Sequence, residues 1–251
     1  ISLNFHQQYL RLFENMILRN ERYAFLKKKY NISGSTVFGN PSEKFFDKEL
    51  NEEVSILYLN LLDQHDYLTH KIDFNKLNSV FEIGGGFGIN IHLLIQNYPN
   101  IRKIIYLDIP PNLYVGTQYL KSLYGESVLE YDKLKNNSKI KFKEDNNLEI
   151  FCIAPWQIED LDQTTDLFLN SNSFVEMPKN IVQNYSNKIL KKNNLKTIIA
   201  LVSYDMFNLN TTFHPDTLMS FFKNRKNWDT FTKKSLTKIN RKNYFYISDY
   251  C

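Results

Sequence analysis

Val80-Phe81-Glu82-Ile83-Gly84-Gly85-Gly86-Phe87-Gly88 constrains this chain more than any other stretch, because four of its eight glycines fall there. The residues before the glycines are apolar and strand-like. Those after them, Ile89 to Tyr98, place apolar side chains at helical spacing until Pro99 stops the run. The pattern reads strand, glycine turn, helix. Without Cβ atoms, such a turn lets backbone N–H groups approach a ligand closely. A dinucleotide turn wants G-x-G-x-x-G, and no frame supplies it: from Gly84 the last slot is Ile89, and from Gly86 it is Ile91. What fits is E-x-G-x-G-x-G, through Glu82, Gly84, Gly86 and Gly88.

A second feature stands in register with the first. Ile104-Ile105-Tyr106-Leu107-Asp108 is a short apolar run ending in a carboxylate, followed by Ile109-Pro110-Pro111. Asp108 lies about 20 residues past the last glycine, the spacing of a strand-turn-helix-strand unit whose acid holds ribose hydroxyls.

The composition allows a large core: 251 residues, 43% hydrophobic, with 19 Phe and 16 Tyr. That suits one large domain or one domain with an appendage. No run approaches the roughly 18 consecutive apolar residues of a membrane span, and no basic-then-apolar leader is visible. Only Cys152 and Cys251 are present, with no metal-ligand spacing. A cytoplasmic protein in a reducing compartment, without a bound metal, is expected. The net charge of +4 is mild. Lys and Arg gather between Lys223 and Lys242, which we read as a solvated face rather than a nucleic-acid footprint.

Along the chain, Tyr9, Leu10, Phe13, Met16, Ile17, Phe25 and Leu26 predict one or two amphipathic helices within Phe5 to Tyr30. A loop carries Ser33-Gly34-Ser35 and Gly39-Asn40-Pro41. Helix is predicted again over Glu43 to Leu68, burying Leu50, Val54, Leu57, Leu61 and Leu62, with His65 and His70 on the surface. After the central unit, Asn112 to Tyr124 predicts a helix closed by Gly125. Ser127 to Asn147 is polar, and its alternating piece Lys139-Ile140-Lys141-Phe142-Lys143 reads as a short insertion. Leu148 to Ile153, Asp166 to Asn170 and Lys196 to Tyr204 predict the third, fourth and fifth strands, and a helix follows Pro178. Pro215 opens a further helix, and Trp228 to Leu236 with Tyr244 to Ile247 form a terminal antiparallel pair. The expected architecture is α/β and Rossmann-like: a seven-stranded, mostly parallel sheet with helices on both faces. Residues 1–70 are expected to form an N-terminal helical extension, serving as lid or dimer interface, and residues 71–251 the main domain.

The segments EIGGGFG, YLDIPPNL, YLKSLYG and DLFLNSNSFVEMP together resemble the bacterial sugar O-methyltransferases that accompany surface-polysaccharide genes. The likeness is best from Phe81 to Tyr185. It implies a class I methyltransferase fold, S-adenosylmethionine as cofactor and a sugar or glycan acceptor. By the resemblance, Glu82, Gly84, Gly86 and Asp108 bind cofactor, with Gly85 and Ile109 beside them, and Asn170 and Ser171 lie near its methionine end. Pro155 and Trp156 follow the third strand, whose end contacts the adenine in this fold, so Trp156 either flanks that pocket or serves in packing.

The glycine and Asp-aliphatic-Pro motifs also look like those of small-molecule O-methyltransferases of plants. Those use a histidine after the fourth strand as general base, followed by an aspartate. Here Val175 and Glu176 occupy these two places, so the usual base is missing. Glu176 is the first candidate to replace it, and His214 the second, since imidazole titrates near neutrality. Asp205 is a distant third. Alternatively, Glu176 caps the helix opening near Pro178, and His214 merely precedes the helix opened by Pro215.

Two other readings belong to different classes. An adenine-N6 methyltransferase would carry a proline pair and an aromatic after the fourth strand, where this chain has Asn170-Ser171-Asn172. A non-catalytic, cofactor-binding partner of another enzyme would account for the missing histidine. Glu159, Asp160 and Asp162 read as a solvated acidic loop rather than metal ligands.

Overall fold

The computed structural model describes residues 16–32, 44–192, 197–204, 213–223, 225–236 and 241–248. Before the glycine turn come helix α1 (Glu21–Lys29), the hairpin of β1 (Lys44–Asp47) and β2 (Glu52–Ser55), and helix α2 (Ile56–Leu68). The central unit is β3 (Ser79–Ile83), α3 (Ile89–Asn97), β4 (Lys103–Leu107) and α4 (Pro110–Tyr124). There follow β5 (Val128–Leu129), α5 (Tyr131–Leu134), β6 (Glu149–Ile153), β7 (Leu167–Ser171), α6 (Lys179–Lys192) and β8 (Ile198–Tyr204). The pair β9 (Asp229–Lys234) and β10 (Lys242–Ser248) ends the described chain, and 3-10 turns cover Pro155–Glu159, Ser173–Glu176 and Pro215–Phe221.

Eight strands make the main sheet, in the order β5-β6-β4-β3-β7-β8-β10-β9. Strands β5 through β8 are parallel, while β10 runs antiparallel to both β8 and β9. Seven of the eight are the expected strands. The eighth, β5, is a two-residue edge strand that pairs Val128 with Ile150, inside the stretch read as polar and given no strand. The central parallel strands are buried on both faces, as helix-covered parallel sheets require. Val80, Ile104 and Ile150 pack toward α3 and α4, while Phe81, Ile105 and Phe151 pack toward α6 and the Pro215–Phe221 turn. Successive strands run outward in opposite directions from β3, so the crevice at its carboxyl end is where such sheets bind ligands. No helix among the described residues is long and apolar enough to cross a membrane.

Two expectations before the sheet are corrected. Residues 44–55 form a hairpin rather than the start of a helix. The spacing of Leu50, Val54 and Leu57 mimics a helical stripe, but Asp47 accepts the backbone N–H groups of Glu49 (2.8 Å) and Leu50 (3.2 Å), and Asn51 adopts φ +54°. Those contacts stabilise a turn instead. His65 is buried, not on the surface: its Nε2 lies 2.9 Å from the Tyr98 hydroxyl, and its ring packs edge-on to Phe74. Burial drives its pKa down to about 3, so it sits neutral in the core. The predicted loops around Gly34 and Gly39, Asp205, and the helical positions before Met16 lie outside the described residues.

Candidate functional site

The glycine turn and the acid after β4 form one hydrogen-bonded unit. Gly84 donates to the Leu107 carbonyl (2.8 Å), tying the turn to the end of β4. Gly86 donates to Asp108 Oδ2 (2.8 Å), while Asp108 Oδ1 accepts from Ile109 N (2.7 Å) and Asn112 Nδ2 (3.3 Å). Burial raises the Asp108 pKa against these three bonds. The Tyr106 hydroxyl donates to the Gly86 carbonyl from below. Gly116 on α4 leaves the room for that ring, since a Cβ there would stand 2.3 Å from the hydroxyl.

The glycines serve different purposes. Gly84 (φ +72°) has Ser173 Oγ 2.0 Å from where a Cβ would sit, and at Gly85 Glu82 Oε2 would be 2.6 Å away. Gly86 (φ +60°) meets nothing within 4 Å, so its face is open. Glu82 lies beneath the turn, 1% exposed. Its Oε1 accepts from Asn90 (2.9 Å), and its Oε2 is buried with no hydrogen-bond partner. Burial, with Asp108 adding to it, pushes its pKa up to about 7 against the Asn90 bond.

These residues open onto a cleft of about 450 Å³. Glu82, Gly84, Gly85, Gly86, Asp108 and Ile109 line one side. Ser171, Asn172, Ser173, Glu176, Met177 and Tyr204 line the other, and Leu57, Asn60 and Leu61 of α2 add a third wall. Asn170 is not in the lining. It is 1% exposed, and it donates to the Ile83 carbonyl (2.8 Å) and to Ser173 Oγ (2.7 Å) while accepting the Phe174 N–H (3.1 Å). It thus pins the end of β3 to the turn that carries Glu176. Glu176 is exposed at the rim, where its Oε1 accepts the Tyr204 hydroxyl at 2.8 Å.

Three predicted residues are not in the lining of this cleft. Pro155 and Trp156 follow β6, and Trp156 walls a separate depression of about 330 Å³ with Tyr114 and Tyr131. His214 precedes the 3-10 turn, where its Nδ1 accepts the Asp216 N–H at 3.3 Å and its ring packs against Tyr244. That is the helix-opening role weighed as its alternative. Conversely, Asn60, Asn90, Asn112 and Gln64 were not singled out from the sequence. Asn90 lies in the first turn of α3 and Asn112 four residues past Asp108, both placements that bring a side chain back to a strand end. Gln64 accepts from Ser171 (3.2 Å) and donates to Asn243 (3.1 Å), long-range contacts with no local sequence signal.

The donor set suits a cofactor with a cationic amino-acid end and a ribose: an unpartnered buried carboxylate oxygen at Glu82, an open glycine face at Gly86, and an acid bound to the turn at Asp108. Residues 18–135 match the family model described as an O-methyltransferase domain. No curated protein matches the sequence. Among solved structures, the fold is similar to mitomycin 7-O-methyltransferase MmcR (TM-score 0.51, 9% identity), over 77% of this chain and 53% of that one. It is similar to magnesium protoporphyrin IX methyltransferase (ChlM) from Synechocystis PCC 6803 with bound SAM (TM-score 0.50, 10% identity), over 77% and 80%. It is also similar to the PH0226 protein of Pyrococcus horikoshii OT3 (TM-score 0.53, 11% identity), over 92% and 99%. The chain spans little more than half of several of the methyltransferases it matches. The chain therefore shares the mostly parallel α/β fold of these methyltransferases, and its residues 18–135 are similar to an O-methyltransferase domain.

Proposed function

We propose that this protein transfers a methyl group to a hydroxyl oxygen of a sugar, in the making of a bacterial surface polysaccharide. The observation that carries the reading is that the Glu176 carboxylate lines the same cleft as the glycine turn and Asp108. The backbone of Gly84 to Gly86, with Asp108, Ile109 and Glu82, would hold S-adenosylmethionine, and Pro155 and Trp156 would lie toward its adenine end. Bound there, the cofactor supplies a methyl group on a sulfonium, and its thioether is the leaving group. The chain's own part is to orient the acceptor and to take its proton. A sugar hydroxyl is a poor nucleophile until a base removes that proton in the transition state, and Glu176 is the carboxylate on the cleft rim. Asn60, Ser171 and Asn172 face the same space and offer the mixed donors and acceptors that a polyhydroxyl ring needs. Leu57, Leu61 and Met177 limit water around the reacting atoms. The helical segment before residue 70, taken as an extension of a domain spanning residues 71–251, supplies that apolar wall through α2.

Calorimetric titration with S-adenosylhomocysteine and with NAD tests the cofactor half, and methyl transfer to a panel of nucleotide sugars and methyl glycosides tests the acceptor half. Micromolar binding of S-adenosylhomocysteine, with turnover lowered about 100- to 10,000-fold by E176Q, is expected. Tight cofactor binding without turnover on any acceptor would instead favour a non-catalytic partner protein.

A further inference from the structure

We propose that Tyr204 is a positioning residue for this reaction, its phenol holding the Glu176 carboxylate so that one oxygen stays available to the acceptor hydroxyl. The proposal rests on the reading of Glu176 as the base. The two residues reach the cleft from different elements: Glu176 closes the 3-10 turn after β7, and Tyr204 ends β8. The phenol donates to Oε1 at 2.8 Å, and no other hydrogen bond to Glu176 is found among the described residues. An exposed glutamate otherwise samples several rotamers, and one fixed donor reduces that freedom.

The donor itself is well anchored. Tyr204 pairs across the sheet with Asn243 of β10, whose side chain accepts from Gln64, which in turn accepts from Ser171 at the tip of β7. Both strand ends are thereby tied to α2. Burial, then the hydrogen bond to and charge of Glu176, raise the Tyr204 pKa, with Arg241 opposing them. The phenol is thus a neutral donor at ordinary pH. In the transfer, the acceptor proton passes to the second Glu176 oxygen as the oxygen–methyl bond forms and the methyl–sulfur bond breaks, the sulfur keeping the bonding pair. Tyr204 keeps its own proton throughout.

Tyr204→Phe removes the hydroxyl and keeps the ring. The test compares wild type, Y204F, E176Q and the double variant with S-adenosylmethionine and methyl glycosides, alongside S-adenosylhomocysteine binding by calorimetry as a check on folding. Y204F is expected to lower kcat about tenfold, with acceptor KM and S-adenosylhomocysteine Kd within about twofold of wild type. In the E176Q background the same change is expected to have no further effect. An equal loss in both backgrounds, or an unchanged kcat in Y204F while E176Q loses most of its turnover, would overturn the proposal and leave the functional reading standing. A fully active E176Q would remove Glu176 as the base, and this proposal with it.

Discussion

Gly86 donates its backbone N–H to Asp108 Oδ2 at 2.8 Å, which makes the turn after β3 and the acid after β4 a single rigid element. Asp108→Asn puts an amide where a carboxylate accepts from Gly86, Ile109 and Asn112, so a donor would face donors on at least one side. We expect S-adenosylhomocysteine affinity to fall about 10- to 100-fold by calorimetry. The melting temperature should drop by only a few degrees. Affinity within twofold of wild type would place Asp108 outside the cofactor site.

Glu82 makes the stability of the cofactor-free protein depend on pH in an unusual direction. The unfolded chain releases this proton near 4.3, whereas the folded protein keeps it until about 7. The folded state therefore binds more protons between these values, and stability falls as pH rises through that window, by up to about 4 kcal/mol. Glu82→Gln should remove this slope. Urea midpoints at pH 5 and pH 8 check it: the variant should match wild type at the lower pH and exceed it at the higher. Parallel pH profiles would mean Glu82 is already ionised in the fold.

How much of this was legible in the sequence depends on how local the cause is. Glycine spacing, the apolar run ending in Asp108 and the strand after it are local patterns, and the parallel core follows them. The hairpin at 44–55 was missed because its apolar residues also fit a helical stripe, and only the side chain of Asp47 bonding Glu49 and Leu50 decides between the two. His65 was placed outside because two histidines five apart share no helix face. What buries it is Phe74 and Tyr98, from beyond its own helix. The cleft shows the same divide. Glu82, Asp108 and Glu176 lie beside motifs, whereas Asn60 meets Ser235, and Gln64 meets Asn243, across separations that no spacing rule reports.

The glycines of the turn should respond differently to alanine. At Gly84 the added methyl would overlap Ser173 in a left-handed backbone, so Gly84→Ala should destabilise by about 2–4 kcal/mol. At Gly86 the backbone is also left-handed but the space is open, so Gly86→Ala should lose only about 1 kcal/mol. Its methyl would still project toward the cleft, and S-adenosylhomocysteine binding should weaken at least tenfold. Thermal melts with calorimetry separate the two variants. A Gly86→Ala protein binding like wild type would show that no ligand approaches this face.

Arg22 links the N-terminal helix to the wall of the cleft. Its Nε lies 2.7 Å from Asp63 and its Nη1 2.7 Å from Asp66, both on α2 and both essentially buried. Asp66 also accepts from Lys29 and Tyr30, each at 2.6 Å. Burial works to raise the Asp66 pKa, but the bonds from Lys29, Tyr30 and Arg22 outweigh it and hold the group below its ordinary range. A depressed carboxylate contributes stability that is present at neutral pH and is lost as pH falls below about 4. Arg22→Ala would leave Asp63 without its guanidinium partner, and a loss of about 2–4 kcal/mol in urea unfolding is expected at pH 7. Adding Asp63→Asn should recover part of it, because the uncompensated charge is then gone. Since α2 carries Leu57, Asn60 and Leu61 into the cleft, the single variant should also raise acceptor KM more than it lowers kcat. Stability within about 0.5 kcal/mol of wild type would mean that α2 is held by its apolar face alone.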